Sequence, residues 1–234
     1  MSVLGTERLQ LADWRRCVAE LYAQVRRTAA SDAAAAHERW RTGREALYRG
    51  HPASPVPVER RAEFRAIHFP YDPGLRFELP LAVDPAPSPE SAQAAATGAQ
   101  LGLKLPISTG QPLAFERVGW LDVPFEAGER RLALFWLPEY SGGLFLPFRD
   151  GTNGRETYGG GRYLLDTAKG ADLGADLGAV PGGDGHAGHD GDRLVVDFNF
   201  SYQPSCAFDP RWSCPLSPAD NRVDLEIRAG ERIA

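Results

Sequence analysis

Residues 76–81 read RFELPL, and in this stretch the apolar side chains Phe77, Leu79 and Leu81 alternate with polar neighbours. A period of two places the apolar side chains on one face of a β-strand, so the stretch predicts a half-buried strand. From Glu63 onward, similar short segments are separated by turn residues. The candidate strands are Phe64–Phe69, Leu75–Leu81, Leu101–Ile107, Leu113–Val118, Trp120–Phe125, Arg131–Leu137, Leu144–Phe148, Leu194–Phe200 and Val223–Ile227. This pattern predicts a mainly β fold with an antiparallel, barrel-like or sandwich core.

The overall composition fits a turn-rich fold of this kind. The chain has 234 residues, enough for one large domain or for a domain with a helical appendage. It contains 25 Gly and 19 Pro residues, a content that a helical bundle does not tolerate. The formal net charge of -5 argues against a nucleic-acid-binding protein, because phosphate contacts need a basic face.

Two helices are predicted before the strands begin. Residues 11–30 form the first, and their apolar side chains recur on one helical face, as Trp14, Val18, Leu21 and Val25. The second spans Ser31–Arg49, with Ser31 as its N-cap and a Gly-His-Pro stop signal behind it. The predicted division is therefore a helical segment over residues 1–57 and a β-domain over residues 58–234.

The apolar stripe of the first helix needs a partner surface. An exposed stripe of that size is an interface or an aggregation site. We expect it to pack on Trp40 and Leu47 of the second helix. The two helices are also the expected route to a homo-oligomer.

The cellular compartment is indicated by the N-terminus and the cysteines. The first residues contain no apolar run of the length that a signal peptide or membrane span needs. The cysteines, an odd and low number, are Cys17, Cys206 and Cys214. This count argues against a disulfide scaffold. We expect a cytoplasmic protein with reduced thiols and no membrane contact.

Two stretches have the composition of mobile loops. Residues 84–99 are rich in Pro, Ser and Ala, and residues 168–192 contain a short duplication, GADLGADLGA, followed by glycine-rich sequence. Segments without large apolar side chains cannot bury enough surface to offset the loss of chain entropy.

Two blocks carry most of the unusual residues: GLFLPFRDGTNGRETYGGGRYL (143–164) and VDFNFSYQPSCAFDPRWSCPLSPADNRVDLEIRAGER (196–232). Both resemble the bacterial and archaeal domain of unknown function family 1684, and the resemblance extends from about Trp40 to the C-terminus. The sequence departs from the family pattern at Gln203, Ser217 and Asp220, where Asn, Pro and Glu are usual. The resemblance implies a shared fold unit and assigns no activity.

The run TYGGGR at residues 157–162 is the first candidate site. Consecutive glycines permit positive φ angles and expose backbone N–H groups that can cradle an anion. Arg162 is placed to clamp a carboxylate or phosphate, and Tyr158 to hydrogen-bond it. The alternative is a glycine-rich turn in which Arg162 pairs with Asp150 across a hairpin.

A second set of polar residues follows the candidate strand near residue 197. Asp197 and Asn199 would share one strand face, which either lines a cavity or faces solvent. We predict that Arg162, Tyr158 and Asp150 converge on one polar site with Asp197 or Asn199. The predicted catalytic residues are Tyr158, Arg162 and Asp197. The predicted ligand-binding residues are Asp150, Thr152, Asn199, Tyr202 and Asn221.

Cys206 and Cys214 are separated by seven residues, a spacing that does not match paired zinc knuckles. A zinc or copper site would need His51, His68 or an acidic residue brought in by the fold, and His51 is the weak candidate retained for it. The alternatives are a pair of structural thiols or a pair that can oxidise. His186 and His189, in HAGHDGD, predict only adventitious chelation.

These patterns support three functional hypotheses. The first is a cytoplasmic protein with a pocket for a small anionic molecule, which it binds or transforms as an enzyme. The second is a non-catalytic binding or accessory module. The third is a metalloprotein that uses Cys206, Cys214 and a histidine. No Walker, zincin, nucleophile-elbow or dinucleotide motif is present, so the sequence names neither a cofactor nor a reaction.

Overall fold

A computed structural model describes residues 3–83, 103–105, 113–138, 142–176 and 193–233. The stretch 84–99 lies outside the described residues, as does the 177–192 part of the second predicted loop.

Two helices begin the chain, as predicted. Helix α1 spans Val3–Ala29 and is therefore longer than its apolar stripe, and α2 spans Ala33–Gly50. The N-cap prediction was wrong. Asp32 caps α2 by accepting a 2.9 Å hydrogen bond from the Ala35 N–H. The Ser31 hydroxyl instead donates back to the Thr28 carbonyl within the turn.

The stripe of α1 is used for packing. Val25 is buried, and Val18 and Leu21 pack against the same hydrophobic core. The Trp40 indole N–H of α2 donates a 3.1 Å hydrogen bond to the buried Tyr22 hydroxyl. In the part of the chain that the structure describes, neither helix is sufficiently long and apolar to span a membrane.

The largest sheet is antiparallel and includes a long hairpin. Its strands are β3 (Ala82–Val83), β4 (Leu103–Leu105), β5 (Leu113–Phe125), β6 (Gly128–Trp136), β7 (Leu144–Phe148) and β8 (Arg162–Asp166). The spatial order is β3-β5-β6-β7-β8, and β4 also pairs with β5. The two strands predicted over 113–125 are one strand with a register shift at Arg117/Gly119. A side chain at Gly119 would meet the Ala82 carbonyl at 2.6 Å.

Two smaller sheets complete the fold. Strand β10 (Arg193–Asp197) pairs with β2 (Arg76–Pro80) and with β9 (Ala175–Asp176). Strand β1 (Ile67–His68) pairs with β11 (Glu231–Arg232). The protein is thus built mainly of antiparallel sheets with two helices at its N-terminus. Among the described strands the sheets do not close into a barrel.

The strand predictions need three kinds of correction. Val223–Ile227 is not a strand. Strands β3, β8, β9 and β11 were not predicted, and β9 lies within the stretch 168–192 that was predicted to be a mobile loop. The strand predicted over Leu194–Phe200 ends at Asp197, because its carboxylate accepts a 3.0 Å hydrogen bond from the Asn199 N–H. Residues 198–200 consequently turn into a 3₁₀-helix. Asp197 and Asn199 therefore do not share a strand face.

One hydrophobic core joins the helices to the sheets. Tyr22 and Trp40 of the helices belong to the same buried cluster as Phe135 of β6, Leu164 of β8 and Phe198. The helical layer is thus an integral part of the packed molecule.

Candidate functional site

Asp150 and Arg162 are brought together by neighbouring strands. Asp150 follows β7, and Arg162 is the first residue of β8. The chain between them turns back at Gly161, which has a φ of +100° and whose N–H donates to the Tyr158 carbonyl. A side chain at Gly161 would also meet the Phe148 carbonyl at 2.6 Å. This glycine therefore serves the turn, and strand packing accounts for it without a ligand.

The Arg162 guanidinium is completely enclosed by protein. Its side chain has 0% exposure and forms a 2.5 Å ion pair with an Asp150 carboxylate that is equally buried. It also donates to the Ala229 carbonyl and, at 2.8 Å, to the Ile227 carbonyl. Burial lowers the pKa of Arg162, while Asp150 opposes that shift.

Asp150 is satisfied by a chain of short-range hydrogen bonds. Its Oδ1 accepts a 2.7 Å bond from the Thr152 N–H and a second bond from the Thr152 hydroxyl. That hydroxyl lies 2.9 Å from the Thr157 hydroxyl, which accepts from the Asn153 amide. Both Asp150 oxygens are thus bonded within the protein, whereas the buried Arg162 Nε has no hydrogen-bond partner among the described residues. A carboxylate and guanidinium that bond mainly to the protein itself are typical of a structural lock.

The stretch Val223–Ile227 bonds to residues 149–151 and to Arg162 instead of forming a regular strand. The Val223 N–H donates to the Arg149 carbonyl, and the Leu225 carbonyl accepts from the Gly151 N–H. The carbonyls of Ile227 and Ala229 accept from the Arg162 guanidinium, an arrangement that we call the Arg162 clamp. The alternation in DLEIRA is real, but its period cannot reveal a side-chain partner.

Asp197 and Asn199 occupy a different part of the molecule and hold another loop. The Asn199 side chain accepts a 2.8 Å bond from the Asp72 N–H and donates a 2.7 Å bond to the Asp72 carbonyl. It also donates to Asp197 Oδ1 at 2.8 Å. The second oxygen, Oδ2, lies 4.0 Å from the Arg76 Nε. Burial raises the pKa of Asp197 to about 6, against the hydrogen bonds from Asn199 and the charge of Arg76.

The remaining predicted ligand-binding residues fasten backbone segments. The Asn221 amide bonds to both the N–H and the carbonyl of Ala133 in β6, and donates to the Pro147 carbonyl in β7. Tyr202 is buried, and its backbone exchanges two hydrogen bonds with Tyr163. The residues predicted to line one site therefore lie in separate networks.

A second buried ion pair was not identified from the sequence. Arg44 of α2 donates to both carboxylate oxygens of Glu231, at 3.3 and 2.9 Å. The guanidinium carbon lies 4.3 Å from the Tyr48 ring centroid and 4.6 Å from that of Tyr202. Burial opposes the charge of Arg44, but Glu231 and its other neighbours raise its pKa overall. Nothing in the helical pattern distinguishes this arginine from its solvated neighbours. Glu231 could have been noticed, because it follows a glycine in the C-terminal block that resembles the family.

The residues predicted as metal candidates lie in two places, with the two thiols together and His51 elsewhere. The Cys206 Sγ lies 3.7 Å from the Tyr158 hydroxyl, and the Cys206 N–H donates to Cys214 Sγ at 3.3 Å. His51 bonds to residues other than these two cysteines. Its Nε2 lies 3.2 Å from Asp13 Oδ2, and its Nδ1 accepts from the Ala53 N–H.

One group of three ligand-type side chains is present among the described residues. Asp13, Cys17 and His51 have donor atoms within 4.8 Å of one another. The hydrogen bond from the Ala53 N–H to Nδ1 fixes the proton of neutral His51 on Nε2, where it bonds to Asp13. Metal binding at Nε2 would have to remove that proton, so the geometry as it stands favours a structural contact between the helices.

An open cleft of about 330 Å³ lies between α1 and the β2-β10-β9 sheet. Three arginines line it, one each from α1, β2 and β10: Arg26, Arg76 and Arg193. The carboxylates of Glu78 and Asp197 line it as well. Of the predicted site residues, Asp197 is the one that reaches this cleft.

The three guanidinium groups are held but not enclosed. Arg26 donates to the Asp172 carbonyl at 2.6 Å, and Arg193 donates to the Glu78 carbonyl. Arg76 donates to the Glu78 carboxylate at 3.0 Å. A guanidinium has five N–H donors, so these contacts leave donors for a ligand. The side chains of Arg26 and Arg76 remain 37% and 25% exposed.

The fold and these sites define a mainly antiparallel β-protein with a helical N-terminal layer, internal polar locks and an arginine-lined cleft. The chain belongs to the family described as "Protein of unknown function (DUF1684)", whose model matches residues 62–232. The resemblance seen in the sequence is therefore confirmed. No curated protein matches the sequence.

A solved structure is similar to most of this chain. It is the solution NMR structure of an uncharacterised protein of Haloarcula marismortui, with 28% sequence identity and a TM-score of 0.53. The similarity covers 82% of this chain and 90% of that chain. It thus extends beyond the region matched by the family model.

Proposed function

We propose that the protein is a cytoplasmic small-molecule-binding protein whose ligand is a small organic anion held in the arginine-lined cleft. The observation that carries this proposal is the convergence of Arg26, Arg76 and Arg193, from three separate elements, on one partly open cavity. Guanidinium groups bind carboxylates and phosphates through paired N–H donors, which favours a carboxylate- or phosphate-bearing ligand. The cytoplasmic part is supported by the low and odd number of cysteines, three in 234 residues.

The cleft also selects the size and character of the ligand. Val25, Leu173 and Val195 contribute apolar surface beside the guanidinium groups. A pocket of about 330 Å³ is at the small end of the range for organic ligands. The proposed ligand is therefore a compact anion with an apolar portion.

Calorimetric titration tests this proposal. The probes are inorganic phosphate, succinate and a short-chain acyl phosphate, titrated into the wild-type chain and into Arg76→Gln. Binding of at least one probe that weakens tenfold or more in Arg76→Gln supports the cleft. Arg211→Gln, a change at an exposed arginine paired with Asp209, is the matched control and should leave affinity unchanged. Equal affinities in wild type and Arg76→Gln would exclude this cleft as the binding site.

A second candidate function is an enzyme acting on the same anion. It is favoured by the Asp197 carboxyl, which lines the cleft and whose pKa burial raises to about 6. A carboxyl with a pKa near neutrality is suited to accept and return a proton. Mass spectrometry of a metabolite extract incubated with the protein tests this. Wild type should deplete a compound that Asp197→Asn binds but leaves intact.

Self-association through α1 stays a prediction. Leu9 and Leu11 are exposed near the start of the helix, whereas the stripe around Val25 is packed inside. Sedimentation equilibrium of wild type and a Leu9→Gln/Leu11→Gln variant tests it, with a dimer expected only in wild type.

A further inference from the structure

The segment between Cys206 and Cys214 folds back on itself. Ser205–Ala207 forms a single 3₁₀ turn after Pro204, and the Ala207 N–H donates to the Pro204 carbonyl at 2.9 Å. The chain then returns so that the Cys206 backbone N–H donates to Cys214 Sγ at 3.3 Å. Two cysteines eight positions apart are thereby placed side by side.

The two thiols interact directly, and their surroundings differ. The hydrogen bond with the Cys206 thiol, ahead of burial, raises the pKa of Cys214. Cys214 is 5% exposed, whereas Cys206 is only half-buried. Cys206 is therefore the more accessible of the two residues to a small reagent. This is the arrangement of an attacking thiol and a resolving thiol.

A tyrosine hydroxyl completes the cluster. The Tyr158 Oη lies 3.7 Å from Cys206 Sγ, within range of a weak sulfur hydrogen bond. Burial and contact with Cys206 raise the pKa of Tyr158 to about 12, so the hydroxyl keeps its proton at neutral pH. A protonated hydroxyl beside the sulfur can donate to a thiolate and stabilise it.

We propose that Cys206 and Cys214 form a redox-active dithiol that reacts with low-molecular-weight disulfides and closes to an intramolecular disulfide. Cys206, as thiolate, attacks one sulfur of the small disulfide; a protein–ligand S–S bond forms, the original S–S bond breaks, and one small thiolate leaves. Cys214, once deprotonated, attacks the Cys206 sulfur, forms the Cys206–Cys214 bond and expels the second small thiolate. The two protons lost by the protein thiols balance the two small thiols released, and two electrons pass to the small disulfide.

The alternative of a metal site at this pair lacks a third ligand. In the ranges that the structure covers, the His, Cys, Asp and Glu side chains that cluster closely enough for a metal are Asp13, Cys17 and His51. Closure, in contrast, needs no further residue, because the second step is intramolecular and benefits from the proximity of the two sulfurs.

The experiment incubates the folded full-length chain with oxidised glutathione, quenches it with acid, alkylates it under denaturing conditions and counts labelled thiols by intact mass and peptide mapping. Labelled thiols should fall from three to one, with Cys17 as the labelled residue. Cys214→Ser should stop at a stable mixed disulfide on Cys206. Cys17→Ser, the matched control, should close its disulfide at the wild-type rate.

Two further measurements make the proposal decisive. Tyr158→Phe should slow the first step several-fold near neutral pH and move its pH–rate profile to higher pH, a shift that a merely structural role would not produce. A wild-type chain that keeps all three thiols in oxidised glutathione, or accumulates a stable mixed disulfide, would overturn the dithiol. Equimolar Zn²⁺ that protects both thiols from alkylation would overturn it in favour of a metal site.

Discussion

Arginine meets carboxylate in two very different ways in this protein. The Arg162–Asp150 pair has no exposed surface and is surrounded by backbone carbonyls. Arg76, in contrast, lies at the cleft with a quarter of its side chain exposed and Asp197 Oδ2 4.0 Å away. An arginine beside a carboxylate therefore does not by itself define a ligand-binding site. Whether the donors are already used by the protein decides between a lock and a ligand clamp.

The largest effect on stability is expected for Arg162→Lys. A lysine retains the charge but cannot reach Asp150 and the two carbonyls together. We expect a loss of about 3–5 kcal/mol in the free energy of unfolding, the usual effect of breaking a buried pair. Urea titration measures it. Arg155→Lys, at an exposed pair with Glu226, is the control and should change stability by less than about 0.5 kcal/mol. If Arg162→Lys unfolded at the same urea concentration as wild type, the structural role assigned to Arg162 would be contradicted.

The pH dependence of stability tests the environment of Asp197, the carboxylate beside Arg76 at the cleft. The folded-state pKa of Asp197 is raised to about 6, so its contribution to stability is present at low pH and is lost as pH rises through that value. The variant Asp197→Asn does not lose stability in this way, because an asparagine side chain does not ionise. Relative to wild type, the variant should gain up to about 3 kcal/mol between pH 4 and pH 7.

A buried histidine acts in the opposite direction over the same interval. Burial lowers the pKa of His37 to about 4, so its contribution is lost as pH falls below the ordinary histidine value. The dependence of wild-type stability on pH therefore combines two opposing contributions. The difference in the free energy of unfolding between wild type and Asp197→Asn isolates the contribution of Asp197. Urea midpoints at successive pH values measure it, and Asp122→Asn, a surface change, should follow wild type throughout.

Arg44 provides an intermediate case, a buried pair that also stacks on aromatic rings. Arg44→Lys keeps the charge beside Glu231 but loses the paired hydrogen bonds and much of the stacking on Tyr48 and Tyr202. We expect a loss of about 2 kcal/mol, smaller than for Arg162→Lys. Thermal unfolding of both variants in one buffer ranks them, and a larger loss at Arg44 would reverse the proposed order.

The smallest stability effect is expected at the cleft itself. Arg193→Gln removes a guanidinium that bonds to the Glu78 carbonyl at the surface. We expect a change of less than about 0.5 kcal/mol in stability, together with a clear fall in affinity for the anionic probe. Calorimetry and urea unfolding on one preparation measure both quantities. A large stability loss would show that this arginine is also a lock.

Periodicity in the sequence predicted the fold class better than it predicted the site. The stripe ending at Val25 and the alternation in RFELPL both report burial, and both elements are present. Strand β8 was not identified because its residues are buried on both faces and show no alternation. The Val223–Ile227 prediction failed because distant groups, invisible in the local pattern, bond to that backbone: residues 149–151 bond to Val223 and Leu225, and Arg162 bonds to Ile227.

The candidate site depended on tertiary facts that spacing does not contain. The polar residues of the two recognised blocks are where the family pattern draws attention, yet most hold loops together, as Asn221 and Asn199 do. Arg26, Arg76 and Arg193 resemble surface arginines in the sequence. Only the packing of α1 on the β2-β10-β9 sheet places them around one cleft.

The Arg162 clamp has a consequence for the order of events during synthesis. Its guanidinium bonds to the Ile227 carbonyl, 65 residues further along the chain. While a ribosome is still producing those residues, the β7–β8 hairpin can pair but cannot bury Arg162 without leaving its donors unsatisfied. The hairpin must therefore stay loosely docked until residues 227–231 emerge. Arrival of that short segment is the event that seals the sheet, so a nascent chain stalled before it would remain a target for chaperones and proteases.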